Sequence, residues 1–389
     1  MARASRPGTR TTGPRAHADV RVSNMSLILR ALKTEALSRT AVSEVTGLSK
    51  ATVSTLVGDL ARLGLVTEGE TSASGSVGRP STLLHVAGGA VAGVGLEISP
   101  DCLLLTTVDL TGEVLAQRSK PVQDPSRSPQ AVIARIGLAL AEELVRLSAT
   151  GTVVPGLVLA QPGLLDYGTG RVHYSSTFDW HDVDLASGVS EAIGLSLTEA
   201  GRPELPVPPV HIEHDAKLAA LAVHDDFPEV DNLLYLSGGQ GIGAGIIADG
   251  HLLRGWMGYT GEVGHMPVEP QGAPCTCGRR GCWETLIGFE SVVALYPDDD
   301  PVRDASQPVG ERTALLRERF EAGDALLESR LDQAQVALER GLCVLVDVLN
   351  PEVIVLSGWL AAFADVLLPP TAAALEARRL DVRSLVRLE

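Results

Sequence analysis

From Ser23 onward the apolar positions fall into helical spacing: Leu27, Ile28, Ala31 and Leu32 predict a first helix. Ala41, Val42 and Val45 mark a short second one. Gly47-Leu48-Ser49 reads as a tight turn, with Ser49 placed to cap the helix that follows. That third helix starts at Lys50 and carries Val53, Leu56, Val57 and Leu60 at i, i+3, i+4, i+7. One stripe is therefore buried, and Lys50, Thr52, Ser54 and Thr55 point elsewhere. Leu65-Val66-Thr67 predicts a strand, residues 71–78 a Ser/Gly loop, and residues 79–83 a return strand, which makes a hairpin wing with Arg79 near its tip. Residues 1–20 are small, polar and basic and predict a disordered tail.

Beyond Val86 the pattern alternates. Residues 90–98 and 103–109 are apolar strands joined to residues 114–115 through a turn at Asp109-Leu-Thr-Gly112-Glu. A helix is expected over about 128–147 and a buried strand over 155–160. His211-Ile-Glu ends a strand and leads into an alanine-rich helix over 216–223. Residues 232–236 and 245–247 are strands around a glycine run, and a long helix over 325–349 precedes a strand over 353–356. Interleaved strands and helices place the body in the α/β class. The chain of 389 residues is long enough for two or three domains.

Charge separates head from body. Residues 1–90 hold 11 basic and 6 acidic side chains, a net of +5; the rest holds 21 basic and 42 acidic, a net of −21. A basic head on an acidic body suggests that only the head approaches a polyanion, although a solvated Arg-rich tail has the same charge. Helix, glycine turn and helix followed by a wing is the helix-turn-helix layout, whose second helix enters the major groove by its N-terminal residues. Ser49, Lys50, Thr52, Ser54, Thr55 and Arg79 are then the candidate contacts to double-stranded DNA; a three-helix packing or dimerisation module is the alternative. No apolar run approaches the length needed to span a bilayer, and residues 1–20 lack the apolar core of a secretory signal. Five cysteines, three of them clustered, suit a reducing cytoplasm.

The densest chemistry lies between His265 and Cys282, where one histidine and Cys275, Cys277 and Cys282 share a loop rich in Gly and Pro. Four N/S donors are a closed zinc set; a disulfide or a redox pair are the competing readings. Such a metal would fix the backbone near Glu262, His265 and Glu284, two carboxylates and an imidazole suited to sugar hydroxyls. Asp215, at a strand end, is either a helix cap or a base for phosphoryl transfer. The run Ser237-Gly-Gly-Gln-Gly241-Ile-Gly243-Ala-Gly245 either wraps a phosphate or makes a tight hairpin.

In chain order, Gly241-Ile-Gly243-x-Gly245, Gly261-Glu262-Val-Gly-His265, Cys275-x-Cys277-Gly-x-x-Gly-Cys282-x-Glu284 and Asn350-Pro351-Glu-Val-Ile-Val-Leu-Ser-Gly358 make the chain resemble the ROK family, named for repressors, open reading frames and sugar kinases. The resemblance runs from the winged helix to the C-terminus. It implies an actin-like, two-lobed sugar-kinase fold behind an N-terminal winged helix-turn-helix: head at 21–87, first lobe at 88–200, second lobe at 201–389, with the C-terminal helix able to return to the first lobe. It implies structural zinc on His265, Cys275, Cys277 and Cys282. It also implies sugar contacts from Glu262, His265 and Glu284, and matches Asp215 to the catalytic aspartate of the kinases. His214 stands where kinases usually have Asn, and Thr177 falls in a loop where the family often has a sugar-contacting Asn.

The departures lie in the nucleotide elements. Where kinases have Asp-x-Gly-Gly-Thr, this chain has Glu97-Ile-Ser99-Pro100-Asp101. Pro100 removes a backbone donor and Asp101 adds an anion where phosphate would sit. Gln240 replaces a Thr, and Trp359 interrupts the late glycines at Ser357-Gly358. The expectation is therefore a cytoplasmic, sugar-responsive repressor that binds operator DNA as a homodimer or higher homo-oligomer and has a degenerate ATP site. The alternative is an ATP-dependent hexose kinase with a DNA-binding head.

Overall fold

The computed structural model describes residues 17–72, 81–99, 102–121, 128–305, 307–378 and 386–389. The chain divides into two compact units, one of Met1–Val94, Thr106–Gln117 and Arg146–Pro155, the other of Gly95–Leu105, Arg118–Val145 and Gly156–Glu389.

The head begins with α1 (His17–Thr34), β1 (Leu37–Ser38), α2 (Arg39–Thr46) and α3 (Lys50–Arg62), and closes with β2 (Val66–Ser72) and β3 (Ser81–Val86). The strands form an antiparallel sheet in the order β1-β3-β2. The predicted stripe is the core: Val53, Leu56, Val57 and Leu60 are buried with Ile28, Leu32, Val42 and Leu84. The structure departs from the sequence reading at two places. Helix α1 already begins at His17, within the stretch expected to be a tail, and Arg21 forms an ion pair with the buried Asp59 of α3, which ties that early turn down. The two-residue strand β1, too short to leave a periodic signal, also pairs with the wing.

The body starts with β4 (Ala92–Ile98), β5 (Cys102–Asp109), β6 (Val114–Pro121), α4 (Pro129–Ala149) and β7 (Leu157–Ala160). A small meander follows, β8 (Leu164–Asp166), β9 (Arg171–Ser175) and β10 (Trp180–Asp184), then α5 (Leu185–Glu199), β11 (Val210–Glu213) and α6 (Asp215–His224). One five-stranded sheet has the order β11-β7-β4-β5-β6, with β11 and β7 parallel. Its expected turn is held by Asp109 Oδ1, which accepts from Thr111 N at 2.8 Å and Glu113 N at 3.1 Å.

The second sheet uses β12 (Leu233–Gly238), β13 (Ile242–Ala248) and β14 (His251–Leu252). After the cysteine loop come α7 (Glu284–Ile287), α8 (Phe289–Val293), α9 (Val309–Glu321) and α10 (Ala325–Leu349). The chain ends with β15 (Val353–Gly358), α11 (Trp359–Ala362), α12 (Ala364–Ala377) and β16 (Arg387–Leu388). The order is β14-β13-β12-β15-β16, with β12 and β15 parallel. The largest core packs here: Leu234, Leu236, Ile354 and Leu356 face Leu338, Leu342, Trp283, Trp359 and Phe363. Trp359, which interrupts the late glycines, serves the packing of this core. Its ring is buried, 6.2 Å from Phe363. Among the described residues no helix is long and apolar enough to cross a membrane.

Trp283 joins the cysteine loop to this core. It is fully buried, its indole Nε1 donates to Ala337 O at 2.7 Å, and its ring lies against Gly341, where an added Cβ would stand 2.1 Å from it. Trp283→Ala is expected to lower unfolding free energy by about 3–5 kcal/mol in urea denaturation. A loss under about 1 kcal/mol would mean that the loop does not depend on this anchor.

Candidate functional site

Two turns build the cysteine cluster. A 3-10 turn, Val263–His265, presents the imidazole, and the chain then folds back through an isolated bridge between Pro267 and Cys282. Cys275 N donates to Arg279 O at 2.8 Å and Gly278 N to Cys275 O at 3.0 Å, a tight knuckle that turns Cys275 and Cys277 the same way. Gly281 (φ 63°) is required: a Cβ there would lie 1.5 Å from Glu269 O. One donor atom from each of His265, Cys275, Cys277 and Cys282 lies within 4.8 Å of the others. Cys277 Sγ stands 3.6 Å from Cys282 Sγ, and Cys275 Sγ 3.6 Å from His265 Nδ1. A disulfide needs about 2.05 Å. A tetrahedron of 2.3 Å metal–sulfur bonds would separate its sulfurs by about 3.8 Å. The four side chains thus fit a single metal ion and exclude the disulfide, and His265 points Nδ1 at the cluster, which leaves Nε2 for another partner.

The second group lies at the end of β11. Parallel pairing of β11 with β7 delivers Glu213, and His214 holds the cap position of α6 with Asp215 as the first helical residue. His214 Nδ1 is 2.9 Å from Asp215 Oδ1, and Nε2 is 3.9 Å from Glu262 Oε1. Ala216 N lies 3.2 Å from the same Nδ1 and 2.8 Å from Asp215 Oδ1. One ring nitrogen cannot donate to Asp215 and accept from Ala216 at once. A ring that carries a proton on Nδ1 resolves the conflict: Nδ1–H and the Ala216 N–H both donate to the Asp215 carboxylate. Burial pushes the His214 imidazole down, but its hydrogen bond to Asp215 and the charges of Asp215 and Glu262 outweigh burial and hold it above its ordinary 6.5. Burial pushes Asp215 up, yet the hydrogen bond and charge of His214 keep it below its ordinary 3.8. The Asp215 side chain is still 37% exposed, so the carboxylate remains open to a ligand.

Three further charges complete this group. Arg254 Nε donates to Glu213 Oε2 at 2.7 Å, Glu213 Oε1 accepts from His214 N at 3.1 Å, and the buried Lys217 ammonium donates to Gly258 O. Sequence reasoning missed Lys217, Arg254 and Glu213. The available signal was a lysine two residues after Asp215 in an otherwise apolar, alanine-rich helix, where a charge is costly unless paired.

Glu284 has a different neighbour. Its Oε2 accepts from Ile242 N at 3.1 Å, so it clasps the turn between β12 and β13. That turn is short, because Gly238 still pairs with Ile242. In the stretch read from the resemblance as the counterpart of the kinase phosphate loop, the Ser99 N–H donates to Cys102 O at 2.9 Å and its hydroxyl to Glu97 at 3.3 Å; Pro100 and Asp101 lie outside the described residues. Thr177 is half-buried in the turn between β9 and β10, on a different element from the other candidate sugar contacts.

In the head, Ser49 Oγ accepts from Thr52 N at 3.2 Å and caps α3. Ser49, Lys50, Ser54 and Thr55 are exposed and Thr52 half-buried, so all five lie on the open face of α3. Arg79 lies outside the described residues.

A family model described as the ROK family matches residues 94–381. The chain is 31% identical over 278 residues to the xylose repressor of Bacillus subtilis (strain 168), covering 70% of this chain and 68% of that protein. It is 27% identical over 368 residues to a putative xylose repressor of Caldicellulosiruptor sp. (strain Rt8B.4), covering 90% and 87%. Among solved structures, the fold is similar to that of a ROK family transcriptional regulator described as a homolog of the E. coli MLC protein, with a TM-score of 0.73 at 22% identity over 95% of this chain and 91% of that one.

The His214–Asp215 pair has a defined pH window. Raised from 6.5 in the fold, His214 contributes stability fully below that value and loses it as pH rises through its folded pKa. Lowered from 3.8, Asp215 contributes above that value and loses it as pH falls through its folded pKa. Histidine NMR titration is expected to place the His214 midpoint above 6.5 and to move it downward in Asp215→Asn. A midpoint at or below 6.5 in the unaltered chain would contradict the pairing.

Proposed function

The chain belongs to the ROK family, and on that footing we propose that it is a cytoplasmic, sugar-responsive DNA-binding transcriptional regulator, a repressor of carbohydrate-metabolism genes. The observation that carries this reading is a contrast within one body. The groups suited to sugar hydroxyls stand together at His214, Asp215 and Glu262, beside a four-donor His/Cys cluster, while the stretch read as the phosphate loop has spent its Ser99 donor on Cys102 O. Phosphate sites depend on free N–H groups and positive potential, and this stretch offers neither in good supply.

The head is read as a winged helix-turn-helix. Its capped α3 offers hydroxyls and Lys50 on the exposed side, the chemistry that approaches base edges and phosphates in the major groove, and Arg79 on the wing would reach a further phosphate. A two-fold homodimer would present two such helices to paired half-sites. The metal is read as structural zinc, since three thiolates and an imidazole in a closed tetrahedral set are its preferred ligands and leave no open coordination position. His265 would bind zinc through Nδ1 and keep Nε2 for the sugar, with Glu262 and Glu284 held on either side of the clamped loop. Thr177 would contribute from its hairpin turn.

In this reading the sugar favours a conformation whose heads no longer match the operator. A hundredfold loss of operator affinity needs about 2.7 kcal/mol of preference between the two states. A few hydroxyl hydrogen bonds made in only one of them supply that. Operator affinity measured against D-xylose, D-glucose, N-acetylglucosamine and N-acetylmannosamine is expected to fall at least about tenfold for one of them, and Glu262→Ala to remove that response. Unchanged operator affinity with a sugar shown by calorimetry to bind would sink the proposal. The kinase reading keeps one supporting observation, the partly exposed Asp215 carboxylate beside an imidazole held above its ordinary 6.5.

A further inference from the structure

The chain has four tryptophans. Trp180, Trp283 and Trp359 are buried at 2%, 0% and 0% exposure, whereas Trp256 is 79% exposed. It stands at the tip of a small loop closed by Thr260 N donating to Arg254 O at 3.3 Å, with Gly255 and Gly258 at positive φ on either side of Trp256 and Met257. Nothing in the fold requires an indole there, because an exposed ring buries little surface.

The ends of this loop are fastened to the charged cluster. Arg254 pairs with Glu213, next to His214 and Asp215, and its guanidinium lies 5.1 Å from the Tyr167 ring centroid. Lys217, on the helix that Asp215 opens, holds Gly258 O, two residues from Trp256. The loop then runs directly into Gly261 and Glu262. A sugar ring has hydroxyls around its edge and C–H bonds across its faces. Carboxylates and an imidazole engage the edge and leave a face uncovered. The electron-rich face of an indole attracts such C–H bonds.

Resting on the sugar-sensor reading above, we infer that Trp256 is a binding residue of the effector site, closing over the apolar face of the sugar ring whose hydroxyls the His214–Asp215–Glu262 group takes. It then helps set which sugars are accepted, because a ring with an axial substituent on the stacked face cannot lie flat against the indole.

Acrylamide quenching of tryptophan fluorescence tests this, since Trp256 supplies nearly all of the accessible signal. The full metal-loaded chain is titrated with D-xylose, D-glucose, N-acetylglucosamine and N-acetylmannosamine, and binding is measured independently by calorimetry. A sugar that binds is expected to lower the quenching slope toward that of Trp256→Phe. Trp256→Ala is expected to weaken its Kd about tenfold while the Tm of the free protein stays unchanged. Binding by calorimetry with an unchanged slope, or an unaltered Kd in Trp256→Ala, overturns the inference. So does a slope that falls with protein concentration alone, which would give the tip to a second copy of the chain. If none of the four sugars gives a heat of binding, the sensor reading itself fails and takes this inference with it.

Discussion

The body is organised around the packing of four donors into a space smaller than 5 Å. As thiolates, three sulfurs this close would repel one another unless a cation held them together. A bound ion would fix a loop that has almost no regular secondary structure of its own. That loop has three consequences. Glu262 is carried on the turn leading into His265 and is left facing His214. Glu284, two residues after Cys282, reaches the β12–β13 turn. Trp283, between them, seats the assembly against α10. The loop therefore positions two carboxylates from one point of attachment.

The charged group beside it is close to neutral overall. Glu213, Asp215 and Glu262 face His214, Lys217 and Arg254, each acid within reach of a base. Half-buried charges of one sign would be costly, and this alternation lets the group sit partly buried while the Asp215 side chain keeps 37% of its exposure. Burial pulls the Lys217 ammonium below its ordinary 10.5 although the charges of Glu213 and Glu262 oppose the shift. A neutral ligand fits such a site: sugar hydroxyls can donate to the acids and accept from the bases without upsetting the charge balance.

Much of this was legible in the sequence because its signals were long or chemically rare. The helix over 325–349 declares itself by sustained apolar periodicity, and the structure places α10 there. The stripe through Val53 and Leu60 is the core of the head. A histidine and three cysteines in one short segment allow few readings, and their 3.6 Å spacings remove the disulfide. What stayed hidden had weak local signals. In α5, Gly188 and Gly194 interrupt the pattern; in α12, Pro369 and Pro370 lie inside the helix; the strands of the β8–β10 meander are three to five residues long. The roles of Lys217 and Arg254 come from contacts 41 residues apart, which no local pattern encodes. Sequence gives no direction to a side chain after a glycine, so the burial of the Trp359 ring beyond Gly358, at φ 63°, is visible only in the fold.

The central claim is that this body recognises sugar without transferring phosphate to it. ATP turnover by the metal-loaded full chain, followed as sugar-dependent ADP release with D-glucose and D-xylose, tests it most directly. The rate is expected to match that of Asp215→Asn, at background. Sugar-dependent turnover that disappears in Asp215→Asn would contradict the claim and make the protein a kinase with a DNA-binding head.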